Sequence, residues 1–136
     1  MERLKERLEQ AAIALASLDE VLNETAPSAI VRDAAIQRFE YSFEAVWKAA
    51  QRYLRVVEGS VESSPKAVVR ASIATALLEE SDGRQALVMV DDRNLTSHTY
   101  NEALAQRIFE ALPQYAHILH RWLARLFLHT QVTSDK

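Results

Sequence analysis

Ten consecutive residues, Asp91-Asp92-Arg93-Asn94-Leu95-Thr96-Ser97-His98-Thr99-Tyr100, hold two acids, a guanidinium, an amide, an imidazole and a phenol. Four residues separate Arg93 from His98, and Tyr100 stands two further on. These groups suit phosphodiester chemistry. A guanidinium offers a planar fork of donors matched to phosphate oxygens. An imidazole moves protons near neutral pH. Asn94 could hold a phosphate or a 2′-hydroxyl, and Tyr100 could bind, stack on a base or be modified. None of this requires a metal, and no cofactor is expected. Asp91 and Asp92 could orient Arg93, but they read first as a solvated turn.

Five positions along an ideal helix turn a side chain by about 140°, so Arg93 and His98 do not share a face of one unbroken helix. Thr99-Tyr100-Asn101-Glu102 fits a capping box, with the Thr99 hydroxyl and the Glu102 carboxylate satisfying free amides reciprocally. That box predicts one helix ending near Leu95 and another beginning after His98. Arg93 and His98 can then aim at one cleft, close to amides suited to phosphate.

The rest of the chain must supply the scaffold. With 136 residues and 49% apolar content it is long enough for one domain with a real core. Two Gly and three Pro argue against an all-β fold. There is no Cys, which excludes a disulfide framework or thiolate metal site and suits a reducing, cytoplasmic setting. No apolar run is long enough to span a bilayer, and no secretory signal pattern opens the chain. The net charge of −3 gives no bulk attraction to nucleic acid, so any such contact needs a local basic patch. Arg52 and Arg55 are the nearest approach to one.

Leu4, Leu8, Ala11, Leu15, Leu18 and Leu22 form a helix stripe that ends before Pro27. A second, long helix starts near Ser28, carries Ile36, Phe39, Phe43, Val46, Trp47, Ala50, Leu54 and Val57, and stops at Gly59. Ser64-Pro65 opens a third, bearing Val68, Val69, Ile73, Ala76 and Leu77 and stopping in residues 79–83. A short fourth covers about residues 84–95, and the last runs from Thr99 to about Thr130, kinked or restarted by Pro113. The expectation is an all-α, up-and-down bundle of about five helices over 1–131, with 132–136 frayed. Apolar residues on several faces around Ile118, Leu119, Trp122, Leu123, Leu126, Phe127 and Leu128 make the last helix either central or half of an oligomer interface. The oligomer is the reading preferred. His117 and His120, three apart, read as surface or interface residues rather than metal ligands.

Three blocks fall in one order: Arg38-Phe39-Glu40-Tyr41-Ser42-Phe43-Glu44-Ala45-Val46-Trp47-Lys48, then Ser64-Pro65-Lys66-Ala67-Val68-Val69-Arg70, then Asp92-Arg93-Asn94-Leu95-Thr96-Ser97-His98-Thr99-Tyr100-Asn101. Together they resemble the nucleotidyltransferase substrate-binding protein family of the HEPN superfamily, close to the HepT toxins. The resemblance implies a homodimer whose Arg-x4-His motifs face each other across a shared cleft. It implies a minimal nucleotidyltransferase, acting as antitoxin, as partner. This chain carries no Gly-Ser followed by Asp-x-Asp, the metal-binding pattern of that enzyme, and so is not expected to be the transferase itself. Carried over by position, Arg93 would stabilise the scissile phosphate. His98 would transfer the proton in a metal-independent endoribonuclease whose nucleophile is the RNA 2′-hydroxyl. Asn94 would be the polar residue after the Arg, and Tyr100 the adenylylated (AMPylated) tyrosine that silences the toxin. A Trp often found just before the motif is absent from Gln85-Ala86-Leu87-Val88-Met89. Three functions compete: an RNase toxin, a non-catalytic subunit that binds nucleotide or substrate for the transferase, and a structural partner. The intact Arg, His and Tyr argue against the third.

Overall fold

The computed structural model describes residues 1–134 as five α-helices and one 3-10 turn. The helices are α1 (Glu2–Leu22), α2 (Ala29–Val57), α3 (Pro65–Ala74), α4 (Glu80–Leu95) and α5 (Glu102–Ser134), with the 3-10 turn at Thr96–His98 between α4 and α5. The expected all-α bundle is what forms. The 29 residues of α2 span about 44 Å, and α1 and α5 pack along it as the frame. The leucine stripe of α1 is inside from Leu4 to Leu18, with Leu4, Ala11, Leu15 and Leu18 at 0% exposure, and Leu22 at its end is partly buried. On α2, Phe39, Phe43, Val46, Ala50 and Leu54 meet it and reach α5.

Local chemistry explains most helix ends. The Ser28 hydroxyl accepts the Val31 amide at 3.1 Å, and the Ser64 hydroxyl accepts the Ala67 amide at 3.2 Å with Pro65 leading the helix. After Val57 the chain closes in a tight turn. The Ser60 amide reaches back to the Leu54 carbonyl at 2.9 Å, and Gly59 takes φ +69°. Pro113 lies inside α5 and does not restart it. Of the tail expected to fray, Val132, Thr133 and Ser134 belong to α5, while 135 and 136 lie outside the described residues.

Two expectations need correction at the α3–α4 corner. α3 ends at Ala74 rather than running through Leu77, because Ala76 turns left-handed at φ +63°. The Leu77 and Leu78 amides then both bond the Ser72 carbonyl, which drives those leucines into the core at 0% and 3% exposure. Gly83 is no terminator either. It sits within α4, where a Cβ would collide with the Ile73 side chain, so its role is close approach of α3 and α4.

Of the two alternatives for α5, packing within the chain shows the central one. Ile118, Leu119, Trp122, Leu123 and Leu126 are all buried within one chain, Trp122 completely, which makes α5 the central helix. Phe127 and Leu128 remain exposed.

α4 is clamped to α5 by Asp82, whose carboxylate accepts Arg121 Nε at 2.7 Å and Nη2 at 2.9 Å. The Arg121 hydrogen bond, reinforced by the charges of Arg121 and Arg125, outweighs desolvation and holds the Asp82 carboxyl below its ordinary range. A carboxylate depressed in the folded state adds stability above its unfolded pKa, near 4, and that stability is lost as pH falls through the folded value. Asp82→Asn is expected to cost about 0.5–1 kcal/mol at pH 7 and to flatten the loss of stability below about pH 4. Urea titrations at several pH values check both.

Candidate functional site

The Arg-to-His run lies where the chain leaves α4 and enters α5. Its local fold differs from the capping box expected. The Thr96 hydroxyl donates to the Arg93 carbonyl at 2.7 Å and carries the chain into the 3-10 turn. Helix geometry therefore resumes later, and Asn101 is the cap, its Oδ1 accepting the Leu104 amide at 3.2 Å. Thr99 instead donates to the Thr96 carbonyl at 3.2 Å, and Glu102 faces Arg32 at 3.9 Å. The break between helices stands, and its chemistry is that of Asn101.

His98 closes the 3-10 turn with its imidazole exposed. The Tyr100 hydroxyl lies 3.5 Å from His98 Nδ1, with the rings edge to face at 5.9 Å and 83°. Tyr100 is 83% exposed, an unusual setting for a phenol with no structural duty. Asn94 is also exposed.

Arg93 takes the other side of the junction. Its Nη1 donates to the Thr96 hydroxyl at 3.3 Å and stands 3.7 Å from the Glu40 carboxylate of α2. Its Nε is buried without a hydrogen-bond partner. Gln37, Glu40, Tyr41, Glu44 and Arg93 line an open depression there, and His98 is not among its walls. Within one chain, then, His98 and Tyr100 are brought together, while Arg93 makes separate contacts.

Asp92 is the residue most misread from sequence. It is 3% exposed rather than solvated. Its carboxylate accepts Arg107 Nη2 at 2.9 Å and Nη1 at 3.4 Å, and the Tyr115 hydroxyl at 2.5 Å. Burial first, then the hydrogen bond and negative charge of Asp92, push the Tyr115 phenol far above its ordinary range. The hydrogen bond and charge of the same carboxylate raise the Arg107 guanidinium. Tyr115 also stacks on Phe39 of α2 at 5.7 Å. This triad, buried at Asp92 and Tyr115 and exposed at Arg107, ties the last turn of α4 to α5 on both sides of the His98 turn, and so braces the run that carries Arg93 and His98. A signal for it existed. Asp92 continues the inward stripe of Ala86 and Met89, whereas Asp91 falls outside, exposed and paired with Lys66 at 2.8 Å.

No group of three or more His, Asp or Glu that could hold a metal occurs among the described residues. His120 pairs with Asp19 at 2.7 Å. Among the same residues, no helix is long and apolar enough to cross a membrane.

A family described as nucleotidyltransferase substrate binding protein like matches residues 6–127. The chain belongs to this family. A Thermus thermophilus protein of known structure is 54% identical, with a TM-score of 0.82 over 85% of this chain and 98% of that one. HI0074 of Haemophilus influenzae, described as showing the fold of a substrate binding domain of a nucleotidyltransferase, is 21% identical with a TM-score of 0.74, over 88% and 98%. A tri-AMPylated HEPN toxin of Shewanella oneidensis, in complex with its MNT antitoxin, is 14% identical with a TM-score of 0.75, over 92% and 96%. At such identities the last two share the family's fold with this chain. No curated protein matches it.

Proposed function

We propose that this chain is the helical partner of a minimal nucleotidyltransferase, and a HepT-like toxin whose cleavage of RNA is controlled by adenylylation of Tyr100. The observation that carries the reading is the exposed pair of His98 and Tyr100, hydroxyl to Nδ1 at 3.5 Å, one turn beyond Arg93. A phenol this exposed can enter a second enzyme's active site. Whatever is joined to it stands against the imidazole. The AMPylated state of the Shewanella toxin in its antitoxin complex supports the reading.

In the reaction proposed, His98 accepts the proton of an RNA 2′-hydroxyl. The 2′-oxygen attacks the adjacent phosphorus, the bond to the 5′-oxygen breaks, and that oxygen takes a proton from solvent. Arg93 binds the phosphate, whose negative charge grows in the transition state. Asn94 and the unmodified Tyr100 border the substrate. Because Arg93 and His98 make separate contacts within one chain, the reading places the complete cleft in a homodimer that joins the two motifs. Val88 and Leu95, exposed at 54% and 37% on α4 beside the motif, are apolar surface suited to that contact. An RNA substrate puts the protein in the cytoplasm. In the silencing step the Tyr100 oxygen attacks the α-phosphorus of ATP, and pyrophosphate leaves. The added phosphate brings negative charge beside the phosphate-binding Arg93.

One observation favours the second reading, a non-catalytic subunit that binds nucleotide or substrate. Glu40, 3.7 Å from the Arg93 guanidinium, competes with a phosphate for it. The two readings part when the chain is incubated with the transferase and ATP. On the toxin reading RNA cleavage falls in step with AMP incorporation, and Tyr100→Phe stays active and unlabelled. Labelling at Tyr100 with no cleavage to lose supports the binding subunit.

A further inference from the structure

A second polar pocket lies apart from the Arg-to-His run, where the start of α1 meets the end of α2. Arg3 and Arg7 of α1 line it, with Lys48, Gln51, Arg52 and Arg55 of α2 and Val61 and Glu62 of the following loop. Spacings of four on α1 and of three, four and seven on α2 put each set on one helix face. The third wall is fixed by the turn at Gly59, where the Ser60 amide bonds the Leu54 carbonyl, and by Gln51, whose side-chain amide donates to the Glu62 carbonyl at 2.7 Å.

Five cations face a single carboxylate in this pocket, in a chain of net charge −3. Glu62 is turned to the Ser60 hydroxyl at 3.0 Å, and Lys48 is paired with Glu44 at 3.3 Å. Arg3, Arg7, Arg52 and Arg55 have no carboxylate within ion-pair distance among the described residues. Arg52 Nε is buried with no acceptor. A buried donor without a partner is costly, as is the mutual repulsion of gathered guanidiniums, and one acidic ligand relieves both.

We infer that this pocket binds vicinal phosphate groups, those of a nucleotide's phosphate chain or of successive RNA phosphodiesters. Guanidinium forks match phosphate oxygens in pairs. The cavity, about 280 Å³, exceeds the room one phosphate needs. Val61 is the one apolar residue lining it and no aromatic does, so recognition falls on phosphate rather than on a base. The inference stands without RNA cleavage at His98.

Calorimetric titration of the full chain with sodium pyrophosphate is the test. One pyrophosphate should bind per chain. Arg52→Gln, and separately the pair Arg3→Gln with Arg7→Gln on α1, should each weaken it about tenfold or more. Arg84→Gln, at an exposed pair elsewhere, should leave it unchanged. The α1 pair guards against a folding defect at half-buried Arg52. ATP and a short single-stranded RNA, titrated in the same way, separate the two sources of phosphate by which of them loses affinity in Arg52→Gln. Absence of pyrophosphate binding overturns the inference. So does wild-type affinity in both variants, or loss of binding in Arg93→Gln instead.

Discussion

Replacing His98 by Ala is expected to lower RNA cleavage by about 10²- to 10⁴-fold, the range that a positioned proton-transfer group contributes. The fold should survive. His98 is exposed at the end of a 3-10 turn, and its ring touches Tyr100 rather than the core. Truncating such a residue costs no more than about 0.5 kcal/mol. Rates on a labelled single-stranded RNA, read beside urea midpoints for both proteins, check the two halves together. Cleavage that persists in a stably folded His98→Ala protein would remove His98 from the chemistry. A drop in rate that merely follows unfolding would make it structural.

The second large effect is expected at Asp92. Asp92→Ala should cost about 2–3 kcal/mol of stability. Most of that loss comes from Tyr115, whose hydroxyl is left buried without an acceptor. Arg107 contributes less, because its side chain is 53% exposed and water can replace the carboxylate. Asp92→Asn retains an acceptor oxygen and should cost less. The variants should also lose cleavage more steeply than stability, because the triad fixes the α4–α5 junction that presents Arg93 and His98. Urea denaturation gives the first quantity and RNA cleavage under strongly native conditions the second. A loss below about 0.5 kcal/mol would return Asp92 to the solvated turn first assigned to it.

Much of the fold was legible because helix physics is local. Apolar spacing marked the buried faces of α1 and α2, and Ser28, Ser64-Pro65 and Gly59 marked ends by capping chemistry that needs no tertiary partner. Errors arose where tertiary packing decided. Gly83 looked like a helix stop and is a contact point for Ile73. Ala76 adopts a left-handed turn that propensity does not foretell, because burying Leu77 and Leu78 outweighs the strain. The apolar breadth of α5 admitted a central helix or an oligomer interface, and only packing within the chain shows the central position.

The candidate site was legible in part. Its break between helices followed from the density of capping residues, although Asn101 rather than Thr99 does the capping. The contact of His98 with Tyr100 follows from their closeness in sequence. The partners of Asp92 were not legible, since Arg107 and Tyr115 stand 15 and 23 residues away and only α5 packing brings them back. The basic pocket was half visible. Arg52 and Arg55 stood out, while Arg3 and Arg7 join them only through the pairing of α1 with α2.

The central claim is that Arg93 and His98 cut RNA without a metal when Tyr100 is free. Its most direct test is RNA cleavage by chelator-treated wild-type protein whose unmodified Tyr100 has been verified by intact mass and peptide mapping. The account predicts cleavage that yields 2′,3′-cyclic phosphate ends and is unchanged by added chelator. RNA left intact by protein shown to be folded and unmodified would contradict it.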